Sequence, residues 1–151
     1  MKINLLSQNE TAPMDLLLLA DPSEEKIKNY LQNGHCYIAK TNNGQSVGVY
    51  VLYPNDASSL ELINIAIDET HQNQGIGKLL IEDAIQRAKD MGYRKLEVGT
   101  GNSSIDQLAF YQKCGFRIRG VNQGYFLKHY DEAIFENGIQ CMDMVRLSRE
   151  I

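Results

Sequence analysis

The sequence predicts a mixed α/β (α+β) protein, and three observations carry that prediction. Period-two apolar segments from His35 to Asp68 read as strands. The segment Gly75 to Met91 carries its apolar residues at helical spacing. The two kinds of segment then keep alternating to the end without a Gly/Ser linker, repeat or low-complexity run. At 151 residues, 43% of them apolar, the chain suits one core, so residues 1–151 are expected to form a single domain.

The elements follow in order. A short strand, Ile3 to Leu6, precedes two helices, the second with Asp21 as its cap, Pro22 at its first position and Glu24 completing a capping box. HCYIAK and SVGVYVLY, separated by TNNGQ, read as a β-hairpin. A third strand, SLELINIAID, places Glu61, Ile63, Ile65 and Ile67 on one face and Leu62, Asn64 and Ala66 on the other, so two polar groups sit in an otherwise apolar strand. The long helix buries Ile76, Leu79, Leu80, Ala84, Ala88 and Met91, and Gly92 ends it. A strand, KLEVGTG, leads to a shorter helix with a capping box of Ser104 and Gln107, running to Cys114 before Gly115. FRIRGV and CMDMVRLS are the last strands, joined by a long connection rich in Tyr, Phe and acidic residues.

Composition removes several classes of function. A net charge of -4 argues against a protein built to grip nucleic acid, which needs a dense Lys/Arg surface. It favours encounter with cationic partners, as does the surface of many soluble proteins. Cys36, Cys114 and Cys141 are scattered, and His35, His71 and His129 are dispersed, so neither a disulfide framework nor a metal site is expected. The longest apolar run, Leu16 to Ala20, is too short for a bilayer, and the N-terminus lacks a cleavable leader pattern; a cytoplasmic protein with no membrane partner is expected. No GxSxG supports a serine hydrolase, and Cys114, which can in principle accept an acyl group, sits where packing explains it.

The most informative stretch is DETHQNQGIGKLL, where a strand runs into a polar loop and two glycines open the long helix. A helix N-terminus carries unpaired N–H groups and about half a positive charge, so it attracts anions. The groups on offer are the amides of Gln72, Asn73, Gln74, Gly75, Ile76 and Gly77, with Lys78 beside them. A Walker A loop requires Gly where this chain has Gln72 and Ser or Thr where it has Leu79, and a dinucleotide fingerprint requires Gly at Leu80. The glycines can also be read as a tight turn and nothing more.

QNQGIG, between strand and helix, resembles the (Gln/Arg)-x-x-Gly-x-(Gly/Ala) signature of the GNAT superfamily of N-acetyltransferases, and LAFYQKCGF resembles its second landmark, a helix with a Tyr followed by Gly-Phe. EVGTGNSS, YQKCGF and HYDEAIFENGIQCMDMVRLS are similar to a group of small bacterial acetyltransferases of unassigned substrate. The resemblance implies the GNAT fold, a mixed and mostly antiparallel central sheet of about six to seven strands flanked by about four helices. It also implies an acyltransferase that moves acetyl from acetyl-CoA to a primary amine by direct attack in a ternary complex.

What the resemblance implies for individual residues is equally specific. The coenzyme's pyrophosphate is expected on Gln72 to Gly77, and its pantetheine arm along Ile65, Ala66 and Ile67, with the N–H of Ala66 or Ile67 facing the developing oxyanion. Tyr111 is the expected acid toward the departing thiolate, against the alternative of a packing aromatic. Asn102 and Ser104 are expected near the pantetheine, although Ser104 is equally explained as a cap. Glu61 corresponds to a catalytic Glu of the family's histone-acetylating branch. A carboxylate of pKa ~4.3 cannot easily deprotonate an ammonium of pKa ~10.4, about 8 kcal/mol away, so a water relay or capture of neutral amine is expected, unless Glu61 is simply a paired polar residue.

The acceptor pocket in this family is walled by the first two helices and by the segment joining the last strands. Here Glu61, Asn64, Tyr125, His129 and Tyr130 are the candidate substrate contacts, and aromatic walls with carboxylates suit a polyamine, amino sugar or amino-acid-like amine. The alternatives are a solvated loop, an idle CoA-binding sensor on the same fold, or an acetyltransferase acting on protein Lys or N-terminal amines. A homodimer through exposed final strands follows by family analogy.

Overall fold

The computed structural model describes residues 1–151. Two compact units divide the chain, residues 1–94 with Ile151 and residues 95–150. The first holds strand β1 (Lys2–Leu5), helices α1 (Met14–Ala20) and α2 (Glu24–Leu31), strands β2 (His35–Lys40), β3 (Ser46–Pro54) and β4 (Ser59–Ile67), one 3-10 turn (Glu69–His71) and helix α3 (Ile76–Asp90). The second holds β5 (Lys95–Gly101), α4 (Ile105–Lys113), β6 (Arg117–Asn122), α5 (Tyr125–His129), β7 (Ile134–Glu136), β8 (Ile139–Cys141) and β9 (Met144–Glu150). The protein is thus mixed α/β, with five helices and seven strands of mostly antiparallel sheet besides the small β7–β8 pair.

In the first unit β1 to β4 pair consecutively and antiparallel, as hairpin-connected period-two segments should. One face of β3 and β4 presents Val49, Val51 and Ala66 to Leu16, Leu17, Ile27 and Tyr30 of α1 and α2. Leu17 and Ile27 are fully buried there, each contributing about 2 kcal/mol. The other face meets α3. Tyr50 donates to Asp83 Oδ2 at 2.6 Å, and Arg87 donates to the same oxygen at 2.7 Å and to Ile3 O at 2.7 Å. One half-buried network thereby ties helix, third strand and first strand together.

The β4 register corrects the expected faces. Val51 pairs with Asn64 and Leu52 with Leu62, so Ile63 is the extra residue of a β-bulge. The bulge inverts the alternation. Glu61, opposite Tyr53, shares the α1/α2 face with Asn64 and Ala66, while Leu62, Ile65 and Ile67 face α3.

Other boundaries also shift. The cap of α2 is Ser23, whose Oγ accepts from Lys26 N at 3.2 Å, and Asp21 instead closes α1 and accepts from Ser23 N at 3.0 Å. Pro22 therefore precedes the helix. Leu79 and Met91 are 48% and 39% exposed, because Leu79 lies across α3 from its apolar stripe and Met91 falls past the last turn. Ile81 and Ile85 complete that stripe. Ser104 makes no capping bond to α4; its hydroxyl donates to Glu136 Oε1 at 2.6 Å.

In the second unit β9 lies between β5 and β6, antiparallel to both. Leu147, opposite Val98 and Ile118, is buried. The connection after β6 is more ordered than its composition suggests. It folds into α5 and a tight hairpin whose turn is Asn137-Gly138, with φ of 56° and 72°. Positive φ at both turn residues is the reason Asn-Gly is favoured there.

Candidate functional site

The loop between β4 and α3 is built to leave main-chain N–H groups uncovered. Asp68 Oδ2 accepts from Thr70 N at 3.3 Å, from the Thr70 hydroxyl and from His71 Nδ1 at 3.0 Å, which closes the first turn of the loop. Those bonds, Thr70 first and His71 next, hold the Asp68 carboxyl below the usual carboxylate range. Gln72 Nε2 turns back to Ile67 O at 3.0 Å and Gln74 Nε2 to Thr70 O at 3.5 Å. Both side chains therefore brace the loop.

Gly75 stands at the N-cap of α3 with φ 82°. A Cβ there would meet nothing within 4 Å, so glycine serves the left-handed backbone and not a shortage of space. The first i→i−4 bond of the helix runs from Leu79 N to Gly75 O at 3.2 Å, which leaves the amides of Ile76, Gly77 and Lys78 without an intrahelical acceptor. No side chain caps this end and its first turn holds no acidic residue. An uncompensated positive helix end, with exposed Lys78 beside it, is a site for an anion.

On β4, Ile65 and Ala66 are buried and Ile67 is half-buried. Glu61 Oε1 accepts from Asn55 Nδ2 at 3.4 Å. Asn64 is buried and donates through Nδ2 to Leu17 O at 3.0 Å and to the Tyr30 hydroxyl at 2.8 Å, while its Oδ1 has no protein partner. Tyr30, whose phenol burial pushes above its ordinary pKa, also donates to Asp21 Oδ2 at 3.4 Å. These bonds fix Asn64 as the tie between β4 and both N-terminal helices.

In the second unit Tyr111 is buried on α4, its ring 5.7 Å from that of Phe110 and 5.8 Å from that of Phe116. Burial, and secondarily Cys114, pushes the phenol above its ordinary pKa and so favours its protonated form, which has a proton to give. Asn102 and Ser104 turn to the connection that follows β6: Asn102 bonds to residues 140–143 and Ser104 to Glu136. On α5, Tyr125 lies against His129 with ring centroids 4.4 Å apart and planes tilted by 42°, and the Phe126 ring lies 5.6 Å from that of Tyr130. No group of three or more His, Cys, Asp or Glu is placed to hold a metal, and no helix is long and apolar enough to cross a membrane.

Comparison with known proteins adds the chemistry. The model of the Acetyltransferase (GNAT) family matches residues 7–116. The chain belongs to the GNAT family. It is 51% identical over 147 residues to the N-acetyltransferase YvbK of Bacillus subtilis (strain 168), a match covering 97% of this chain and 94% of that protein. A GNAT acetyltransferase of Elizabethkingia anophelis, crystallised with acetyl-CoA, superposes with a TM-score of 0.97 at 49% identity, covering 99% of this chain and 97% of that one. A Bacillus cereus protein described as an IAA acetyltransferase superposes at 0.94 with 52% identity, covering 99% of each chain. This GNAT chain is therefore an N-acetyltransferase that uses acetyl-CoA.

The residues present fit that donor. Coenzyme A carries a pyrophosphate, and the open amides at α3, with no carboxylate in the first turn, suit such a group. Two residues of the second unit, Ser103 and Asn137, were not singled out from the sequence. Ser103 is fully buried and donates to Glu136 Oε1 at 3.1 Å, and Asn137 Nδ2 donates to Ser103 O at 2.8 Å. The Asn-Gly pair inside IFENGIQ was the available signal, since it marks a hairpin between two short strands.

Proposed function

We propose that this GNAT enzyme, working as a single domain over residues 1–151, acetylates a primary amine of a small molecule by direct attack within a ternary complex. The observation that carries the acceptor class is the aromatic set on and beside α5, with Tyr125 on His129 and Phe126 on Tyr130, followed directly by Asp131 and Glu132. Aromatic faces with nearby carboxylates favour a cation attached to apolar or ring-like bulk, such as a polyamine, amino sugar or amino-acid-like amine.

When bound, acetyl-CoA supplies an acetyl group activated as a thioester. The main chain of Gln72 to Gly77, with Ile76 as its buried anchor and Lys78 as a point charge, holds the pyrophosphate. The backbone of Ile65, Ala66 and Ile67 pairs with the pantetheine arm, and the N–H of Ala66 or Ile67 faces the developing oxyanion. Asn102 and Ser104 are the candidate hydrogen-bond partners of the pantetheine.

Tyr111 gives a proton to the departing sulfur. An ordinary phenol, pKa about 10, is about 1.5 units less acidic than an ordinary thiol, so the proton moves only as charge builds on sulfur, where burial disfavours the thiolate as it does the phenolate. Glu61 receives the amine's proton through water, or the small neutral fraction of the amine is what binds; Asn64 holds the strand that carries Glu61. A homodimer through β6, where Ile118 and Val121 are 51% and 50% exposed, and a cytoplasmic setting belong to the same proposal.

The test is release of free thiol from acetyl-CoA with polyamines, amino sugars, amino acids and Lys-containing or free N-terminal peptides. Turnover of small amines in preference to peptides is expected, with Tyr111→Phe lowering kcat about 100-fold and leaving the acetyl-CoA KM within about twofold. Release with peptides alone assigns a protein substrate instead. Tight coenzyme binding without release from any amine makes the chain a sensor, and equal rates for both proteins remove Tyr111 from the mechanism.

A further inference from the structure

The segment between β6 and β9 carries Tyr125, His129 and Tyr130, and one side chain at the end of β5 gathers its far end. Asn102 N donates to Asp143 O at 3.0 Å. Asn102 Oδ1 accepts from Met142 N at 2.8 Å and from Asp143 N at 3.0 Å, and Nδ2 donates to Gln140 O at 3.0 Å. An amide side chain offers two acceptor sites and two N–H donors, so three of its four positions are committed to this one stretch of backbone.

The fastening continues to α5. Asp143 Oδ1 accepts from Gly124 N at 2.8 Å, at the N-cap of α5, and Phe126 N donates to Met142 O at 3.0 Å. The five residues of α5 are too few to be helical by themselves, and no side chain of α5 caps its start. Its orientation is set by those two bonds, which both end on the residues that Asn102 holds.

We infer that Asn102 is a positioning residue for the acceptor amine: it pins residues 140–143, which in turn aim α5 and its aromatic side chains. This rests on the proposal that α5 walls the acceptor site. It also separates two roles for Asn102, because a pantetheine contact would bear on acetyl-CoA and a clamp bears on the amine. Asparagine is required for a stated reason. Aspartate retains acceptors for Met142 N and Asp143 N but sets a carboxylate against Gln140 O, and alanine loses all three side-chain bonds.

The experiment combines hydrogen exchange with steady-state kinetics on Asn102→Ala and Asn102→Asp, using the amine found by thiol release. For Asn102→Ala, exchange of the amides in 124–126 and 142–143 speeds up about tenfold or more, and the amine KM rises about tenfold while the acetyl-CoA KM stays within about twofold. Asn102→Asp falls between wild type and alanine on both measures, and it carries the test if the alanine variant does not fold. A raised acetyl-CoA KM with an unchanged amine KM makes Asn102 a coenzyme contact and overturns the inference. Unchanged exchange removes the clamp while leaving the α5 acceptor wall standing. Faster exchange with an unmoved amine KM places the amine away from α5, and the proposal for the acceptor wall falls with the inference.

Discussion

Two helices of the first unit begin in opposite ways. At α2 the Ser23 hydroxyl accepts from Lys26 N at 3.2 Å, and Glu24 and Glu25 occupy the first turn. At α3 the cap is Gly75, no side chain accepts from the first amides, and no acidic residue follows. The first arrangement is what stability alone selects, because capping and carboxylates near the positive end each contribute about 1 kcal/mol or less. The second forgoes both. A helix end left uncompensated in a chain that compensates its neighbour is an end suited to a ligand's negative charge.

The largest effect is expected from giving α3 the feature that α2 has. Gly77→Asp puts a carboxylate among the open amides of α3, and repulsion of a phosphate at close range should raise the acetyl-CoA Kd about 100-fold. The same change should leave the melting temperature unchanged or slightly higher, since Asp is a better helix residue than Gly and complements the dipole. Titration calorimetry and thermal unfolding give both numbers, and Gly77→Ala, expected to bind within a few-fold of wild type, separates charge from bulk. A fall in affinity that the alanine variant shares would assign the effect to size.

The converse change is Ser23→Ala at α2, which should cost about 1 kcal/mol of stability by denaturant unfolding and leave the acetyl-CoA Kd unaltered. Loss of coenzyme affinity there would mean that the two helix starts are not functionally distinct. The smallest effect concerns the undersides of the two helices. Burial raises the phenol pKa of Tyr30 on α2 and of Tyr50, which donates to Asp83 on α3. The folded state then holds these protons more tightly than the unfolded chain, whose phenols titrate near about 10. That part of the stability is fully present below pH ~10 and is lost as pH rises toward the folded pKa values. Phenolate absorbance should show these groups silent until unfolding, and a reversible titration of all eight tyrosines near pH 10 in the folded protein would contradict it.

The same pair of helices shows what the sequence makes legible. The Gly75 to Met91 periodicity, the hairpin around TNNGQ and the loop QNQGIG are local signals, and the elements stand where they indicate. The cap of α2 lies two residues downstream of its expected place because Asp21 and Ser23 are both good caps, and only packing of Tyr30 and Ile27 chooses between them. The face of Glu61 was not legible at all. A bulge at Ile63 is set by pairing with β3, and no residue type in LELINIAI marks it. Asn102 is the long-range case, since its partners lie 38 to 41 residues away and its neighbours in sequence give no hint of them. In the connection, α5 is too short to show a helical period, whereas Asn137-Gly138 announced a hairpin that composition obscured.

The bare start of α3 is proposed to bind the donor through its pyrophosphate. Calorimetry with coenzyme A and with acetyl-pantetheine, which lacks that group, tests it on wild type and Gly77→Asp in parallel. Wild type should prefer coenzyme A by about 100-fold or more, and the variant should lose most of this preference while its affinity for acetyl-pantetheine is unchanged. An undiminished preference in the variant would contradict it.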